Sequence, residues 1–237
     1  MIKIETHCHS LGGSSCGTCS VEEIIEFYKD AGYGGIVLTN HYSKYIVEGY
    51  YGAKSDKEGV DRFFSLYDEL KEKAEKEGLK TFFGIEVRID STRTEYVLYG
   101  FDREFLYDNP RLYEYTQKEL FELANKNGLF MFQSHPFRDG VTVGDPRYLH
   151  GAESFNGHYH HVNKNDLAEK FCEENNLIKL SGTDFHHDDQ PITAGIYIPE
   201  NINTNEELTE YIRSNDFKRI ENADLYLSSL KKYKSGK

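Results

Sequence analysis

Two rhythms of apolar and polar positions alternate along the chain. Short runs dense in β-branched and aromatic residues read as strands: "IKIET" (2–6), "GGIVLTN" (34–40), "KTFFGIEVRI" (80–89), "TEYVLYGF" (94–101), "LFMFQSH" (129–135), "AESFN" (152–156), "LIKLSG" (177–182) and "AGIYIP" (194–199). Segments of helical period lie between them. The first covers 20–33, where Ser20 and Glu23 carry a capping-box signature and Ile24, Ile25 and Tyr28 share one side. Others cover 57–78, 110–128 (opening on Pro110 and stopping at Gly128), 162–176, and 204–215 behind the cap residue Thr204. The continuous apolar run in 34–40 suits a strand covered on both faces. Strand and helix in alternation predict an α/β fold with a parallel sheet. The tyrosine-rich stretch 42–56 is too long for a tight connection and is expected to loop over a site. The basic tail 230–237 is expected to fray. No compositional break, linker or repeat interrupts the pattern, so one domain is expected over residues 1–237.

Composition narrows the function. Hydrophobic residues make up 38% of the 237, which is enough to fill a core. The net charge of −12 disfavours broad contact with nucleic acid or an anionic bilayer. It leaves room for a small anionic substrate, because bound divalent cations reverse the local field. No apolar run reaches the roughly 18 residues of a membrane span, and "MIKIETH" turns polar too early for a signal peptide. Both observations point to the cytoplasm. Four cysteines do not make a disulfide framework in a chain of this length. Cys8 and Cys172 read as small buried hydrophobes, whereas Cys16 and Cys19 form a C-x-x-C that is redox-active, metal-binding or neither.

The polar residues follow the strands. His7 and His9 lie two apart and project to one side of a strand. Asn40 and His41 end the second strand and Glu86 and Arg88 the third. His135 and then Arg138 follow "LFMFQ", Asn156 and His158 follow "AESF", and Asp184 and His186 follow "LIKLSG". In a parallel α/β barrel these ends share one face, so the side chains would converge. Imidazoles and carboxylates in these numbers suit zinc, manganese or iron and exceed what one ion needs. A carboxylate can bridge two ions, so two or three divalent metals are expected, with the chemistry of activated water and clamped phosphoryl oxygens. The competing interpretation of His41, Glu86, His135, Asp184 and His186 is a buried hydrogen-bonded network, which would be costly without a metal.

At these positions the chain resembles the PHP (polymerase and histidinol phosphatase) superfamily. The matching blocks are "HCHS" (7–10), "GIVLTNH" (35–41), "GIEV" (84–87), "SHPFR" (134–138) and "SGTDFHH" (181–187), with "ESFNGHYHHVN" (153–163) similar to the family's E-x-x-N segment. The resemblance implies a distorted (β/α)7 TIM-like barrel, a trinuclear metal site and phosphoesterase activity. It implies that His7 and His9 hold a first ion with Glu86 and Asp184. Glu86 would bridge to a second ion held by His135, and His41 and His186 would hold a third. Three departures stand out. Cys16 occupies a place where the family often has Asp or His, "TNH" replaces "TDH", and "TEYVLYG" lacks a His that many members carry after the Glu strand. In this comparison Cys16 is either a thiolate ligand or a plain thiol.

Glu86, Asp184 and Arg138 are the candidate catalytic residues, and His7, His9, Cys16, His41, Glu86, His135, Asp184 and His186 the candidate metal ligands. Arg138 either binds phosphate bidentately or pairs with a carboxylate, and the same choice applies to Arg88. His158, His160, His161 and His187 are candidates for the mouth of the site, with His160 and His161 read as solvated loop residues. The expected function is metal-dependent hydrolysis of a small phosphomonoester, of the histidinol-phosphate type. A nuclease, a phosphotyrosine phosphatase and a non-catalytic metal-binding module are the alternatives.

Overall fold

The computed structural model describes residues 1–92 and 94–236. Among the described residues ten strands run in chain order: β1 (Ile2–Cys8), β2 (Gly35–Leu38), β3 (His41–Tyr42), β4 (Lys80–Arg88), β5 (Glu95–Tyr99), β6 (Phe130–Gln133), β7 (Gly151–Asn156), β8 (Ile178–Gly182), β9 (Ala194–Ile198) and β10 (Arg219–Glu221). The helices are α1 (Val21–Asp30), α2 (Asp56–Lys76), α3 (Arg103–Asp108), α4 (Gln117–Lys126), α5 (Asn165–Asn175), α6 (Asn205–Ser214) and α7 (Ala223–Ser235).

The strands pair in the order β10-β9-β1-β2-β4-β5-β6-β7-β8. A parallel bridge between Cys8 and Phe185, with the His9 amide donating to the Phe185 carbonyl at 3.0 Å, brings the end of β8 back to β1 and nearly closes a barrel. Of the strands in that ring, β1, β2, β4, β6, β7 and β8 run parallel, and β5 runs against both neighbours. The expected distorted (β/α)7 barrel is therefore present, with one correction to the parallel sheet. Only residues 89–94 separate β4 from β5. A parallel crossover needs about a dozen residues, so β5 must reverse direction.

Ile4, Val37, Phe82, Phe130, Phe132 and Leu180 pack together inside the barrel. A second cluster, with Cys8, Ile24, Tyr28 and Leu70, lies between the sheet and helices α1 and α2. Ile4 and Cys8 have the same parity on β1 yet join different clusters. The β1–β2 register shifts between them, and this bulge turns His7 inward. Buried Glu5 fastens this corner. Its Oε1 accepts from the amides of Thr6, His7 and Thr183 at 2.9, 2.7 and 2.9 Å, and its Oε2 from the hydroxyls of Tyr28 and Thr183 at 2.7 Å each.

Local signals account for the element ends. The capping boxes Ser20–Glu23 and Thr204–Glu207 are formed. Three expectations are corrected. The helix drawn from Pro110 begins at Gln117, because Thr116 and Glu119 form a stronger start signal, and Leu112–Glu114 before it is a 3-10 turn. The stretch 42–56 carries a π-helical segment, Tyr45–Tyr50, instead of an open loop. The tail expected to fray is helical to Ser235 and packs Tyr226 and Leu230 against Phe155, while Lys237 lies outside the described residues. No helix among the described residues is long and apolar enough to cross a membrane.

Glu169 ties α5 to β8 and β10. It accepts from Arg219 at 2.8 Å and from Lys179 at 2.7 Å. The Arg219 hydrogen bonds, aided by Lys179 and opposed by partial burial, lower its carboxyl from 4.5 to about 2. A depressed carboxylate stabilises the fold above its unfolded pKa, and that stability is lost as pH falls through the folded value. The side chain is 35% exposed, so solvent screening reduces the effect to about 1 kcal/mol. Glu169→Gln should cost that much in denaturant titrations at pH 7, and the deficit should narrow below about pH 4.5. An equal deficit at acid pH would assign the effect to packing.

Candidate metal centre

Each barrel strand delivers its polar residues to the same rim. His7 and His9 leave β1 side by side, with ring centroids 4.9 Å apart. Glu86 stands at the middle. Its Oε1 is 3.2 Å from His7 Nε2 and 3.4 Å from His135 Nε2, and its Oε2 is 3.5 Å from His9 Nε2 and 2.6 Å from His41 Nδ1. Asp184 completes the group, with Oδ1 at 3.5 Å from His7 Nε2 and 3.2 Å from His9 Nε2. His186 stacks on His9 with centroids 4.3 Å apart. Cys16 places Sγ 3.5 Å from His41 Nε2. All eight residues read from the sequence as ligand candidates therefore gather at one place.

The distal nitrogens of His7, His9 and His186 are already held by oxygens. Glu153 Oε1 takes His7 Nδ1 at 2.7 Å, Ser14 Oγ lies 3.1 Å from His9 Nδ1, and the Asp184 carbonyl takes His186 Nδ1 at 2.8 Å. Oxygen partners of this kind fix a ring's tautomer and turn its other nitrogen to a metal. The inward atoms have no such partners. A ring nitrogen of each of His7, His9 and His41 and both oxygens of Glu86 are buried without an aligned hydrogen bond; His41 Nδ1 is close to Glu86 but off line. Each unpaired buried polar atom costs about 1–3 kcal/mol. Together they rival the whole stability of a domain, about 5–15 kcal/mol. A positive ion at their centre satisfies all of them, so the donor set fits divalent metals.

Ligand atoms within 4.8 Å of one another form three overlapping groups here: His7, His9 and Asp184; His9, His41 and His186; and His41, Glu86 and Glu95. The electrostatics reflect this crowding. Burial disfavours the Glu86 carboxylate, but His7 and His41 outweigh it and hold the carboxyl well below its usual range. Burial together with His186 and His41 keeps His9 neutral, well below the usual imidazole value. Burial would raise the Cys16 thiol, yet hydrogen bonds to His186 and His41 bring it down to about 6, so the thiolate is accessible near neutrality. Cys19 differs. It is buried against α1, and burial raises its thiol to about 11.

Two candidate ligands also sit on unusual backbone. His135 has φ 31° and Asp184 φ 50°. Left-handed conformations cost a non-glycine residue on the order of 1–3 kcal/mol and concentrate at functional sites. Asn40, the uncharged residue of "TNH", caps a turn. It accepts from the Ser10 amide at 2.8 Å and lies so close to Gly13 that a Cβ there would fall 2.0 Å from its Nδ2.

Four residues of the centre escaped the sequence reading. Glu95 lies 3.5 Å from His135 Nε2 and 3.9 Å from His41 Nδ1, within the "TEYVLYG" stretch that has no histidine. It was passed over because it begins its strand, but in an antiparallel β5 the start of the strand is at the metal end. Glu153 was hidden within an apolar strand, Ser14 lay in an unassigned loop, and Asn163 supports the arginine below. Arg138, read as a possible phosphate clamp, donates Nη2 to Asp184 at 2.6 Å and Asn156 at 3.0 Å, and Nε to Asn163 at 2.9 Å. Arg88 instead lines a cavity of about 450 Å³ with Cys16, His41, Ser43, Tyr45 and Glu95.

The family model for the PHP domain matches residues 5–224. The chain belongs to the PHP domain family. No curated protein matches the sequence. Among solved structures, a two-domain protein from Bacteroides vulgatus containing a predicted PHP-like metal-dependent phosphoesterase superposes with a TM-score of 0.67 at 20% identity, covering 98% of this chain and 69% of that one. PsfC from Pseudomonas syringae gives 0.67 at 16% identity over 100% and 99%. The lesion-specific endonuclease PfuEndoQ from Pyrococcus furiosus gives 0.56 at 16% identity over 92% of this chain and 57% of that one. At these identities the likeness is one of fold.

Two outcomes test the arrangement of this PHP domain. Glu86→Ala should lose more than one ion per chain in elemental analysis, and full occupancy would remove the bridging role. Glu153→Gln keeps the volume but weakens the hold on His7, so metal affinity measured by chelator competition should fall about 10- to 100-fold.

Proposed function

We propose that this PHP domain is a metal-dependent phosphoesterase acting on a small phosphomonoester. The observation that carries this reading is the set of buried, unpaired imidazole and carboxylate atoms beside a polar cavity of about 450 Å³, a size suited to a small ligand. His7, His9, Cys16, His41, Glu86, Glu95, His135, Asp184 and His186 are the residues that would hold two or three divalent ions. Zinc, manganese and iron all suit such donors, and Cys16 leans the choice toward zinc or ferrous iron. Ions bound there would supply Lewis acidity, activating water and neutralising phosphoryl charge.

The protein's own residues divide the remaining work. Glu86 and Asp184 set the negative charge at the centre. Arg138 fixes the orientation of Asp184 through its 2.6 Å bond. Arg88, exposed on the cavity wall with no carboxylate paired to it among the described residues, is the better placed of the two to take an anionic group of the substrate. Tyr45 and Ser43 from the 42–56 stretch bound the same cavity, which gives that segment a role in selecting the substrate.

A nuclease is the second reading, favoured by the fold shared with PfuEndoQ. The net charge of −12 weighs against an extended nucleic-acid partner. A panel of phosphomonoesters, a phosphodiester and single-stranded DNA, each with manganese, zinc or iron, separates the readings. Turnover of monoesters alone supports the proposal, faster cleavage of the diester or DNA supports the nuclease, and no turnover of any supports a binding module. With a monoester in hand, Arg88→Ala should raise KM by about 10- to 150-fold at unchanged metal content, the loss of one charge-assisted contact of roughly 1.5–3 kcal/mol. Arg138→Ala should lower kcat and metal retention together, because Asp184 loses its partner. Unchanged KM in Arg88→Ala would return the phosphate contact to Arg138.

A further inference from the structure

A second histidine cluster stands behind the metal centre. His158, on the loop after β7, is 4% exposed. His160 lies two residues on, and His187 follows β8; both are half-buried. Each offers a ring nitrogen, and these nitrogens lie within 4.8 Å of one another. None of the three belongs to the ligand groups around Glu86. The two sets meet back to back at His186, whose ring packs against His9 on one side, with centroids 4.3 Å apart, and against His158 on the other, at 5.1 Å.

The loops hold this cluster in place. Thr18 Oγ1 donates to the His186 carbonyl at 3.1 Å. The same hydroxyl lies 3.3 Å from His187 Nδ1. With its proton on the carbonyl, Thr18 Oγ1 accepts from His187 Nδ1, and in that tautomer Nε2 keeps the lone pair a metal would take. His160 is clamped by α7. Its ring stacks on Tyr233 with centroids 4.1 Å apart and planes 17° from parallel. The His160 amide donates to His158 Nδ1 at 3.3 Å, which ties the two residues of the loop together. Asp188 and Asp189, exposed directly after His187, give the approach a negative field.

We infer that His158, His160 and His187 form a separate peripheral site for one transition-metal ion, zinc foremost among the metals that imidazole ligands suit. Three imidazoles with water in the fourth position make a complete tetrahedral zinc site. The nitrogens need to draw in by about 1 Å or more to reach the Zn–N distance of about 2.0–2.1 Å, and all three lie on loops. The ion would join the β7–α5 loop to the β8 loop, and through His160 and Tyr233 to α7. The inference does not rest on phosphoester hydrolysis.

Counting ions tests it. The full chain is stripped with a chelator and brought to equilibrium by dialysis against buffered free zinc. The His160→Ala/His187→Ala variant should hold one zinc fewer than the wild type. His41→Ala/His186→Ala should lose ions from the central group, and the fourfold variant should lose the sum of the two. Cobalt(II) gives a second readout: the wild type should show one tetrahedral absorption component that the His160/His187 variant lacks and the His41/His186 variant retains. If the double alanine variant does not fold, His160→Gln and His187→Gln singly give the same count. The inference falls if the His160 and His187 variants keep the wild-type count. It also falls if the fourfold variant loses no more than His41→Ala/His186→Ala, which would make these histidines an outer layer of the central ions.

Discussion

Buried charge is the constraint on which this structure depends. Glu86 is fully buried, lies within 4 Å of four imidazoles, and has neither oxygen in an aligned hydrogen bond. A carboxylate in that position must be neutralised by protonated histidines or by metal. The surrounding fold is organised to keep the group in place. The bulge in β1 turns His7 inward, Glu5 pins the β1 and β8 ends to α1, and Glu153 holds both His7 and the His135 amide, the latter at 2.9 Å. Gly182 must lack a side chain, because a Cβ there would fall 2.7 Å from the His7 Cβ and 2.9 Å from Glu153 Oε1. The apolar core could be repacked in many ways, but this polar layer allows few alternatives.

The parts of the site legible in the sequence were those whose strand ends at the rim. His7, His9, His41, Glu86, His135, Asp184 and His186 all follow an apolar run, so period and position sufficed. Glu95 could have been found by one further step. A gap of four residues between the strands at 80–89 and 94–101 forbids a helical crossover, the next strand must reverse, and its opening residues, Glu95 among them, then lie at the rim of the site. Glu153 was less accessible. A carboxylate inside "AESFN" shows only that something buried must pair with it, and the partner, His7, is 146 residues away. Long-range pairings of this kind are set by barrel closure and leave no local signal. The same holds for Arg138, whose three partners are drawn from the end of β7 and the loops after β7 and β8.

Helix boundaries divided along a similar line. Where a capping box was the only start signal, at Ser20 and Thr204, the sequence located the helix. Between 110 and 120 two signals competed, Pro110 at a first-turn position and Thr116 with Glu119, and the reciprocal pair of hydrogen bonds prevailed over a residue that merely tolerates a helix. The C-terminal helix was missed because its tail is basic and polar. Only the structure shows that Tyr226 and Leu230 meet a surface on β7 that would otherwise be bare.

Glu95 changes how the departures from the family pattern combine. Taken separately, a missing histidine removes a ligand, and Cys16 replaces a hard ligand with a soft one. The structure places both substitutions next to His41, Glu95 at 3.9 Å and Cys16 at 3.5 Å. Carboxylate oxygen favours manganese and other hard ions, whereas thiolate favours zinc or ferrous iron. The two changes therefore pull metal preference in opposite directions across one imidazole. Ferrous iron accepts both kinds of ligand, and a mixed centre would satisfy each locally. Either arrangement would make the metal at His41 the most dependent on conditions, since its neighbouring thiol is the one group of the centre that oxidation as well as protonation can change.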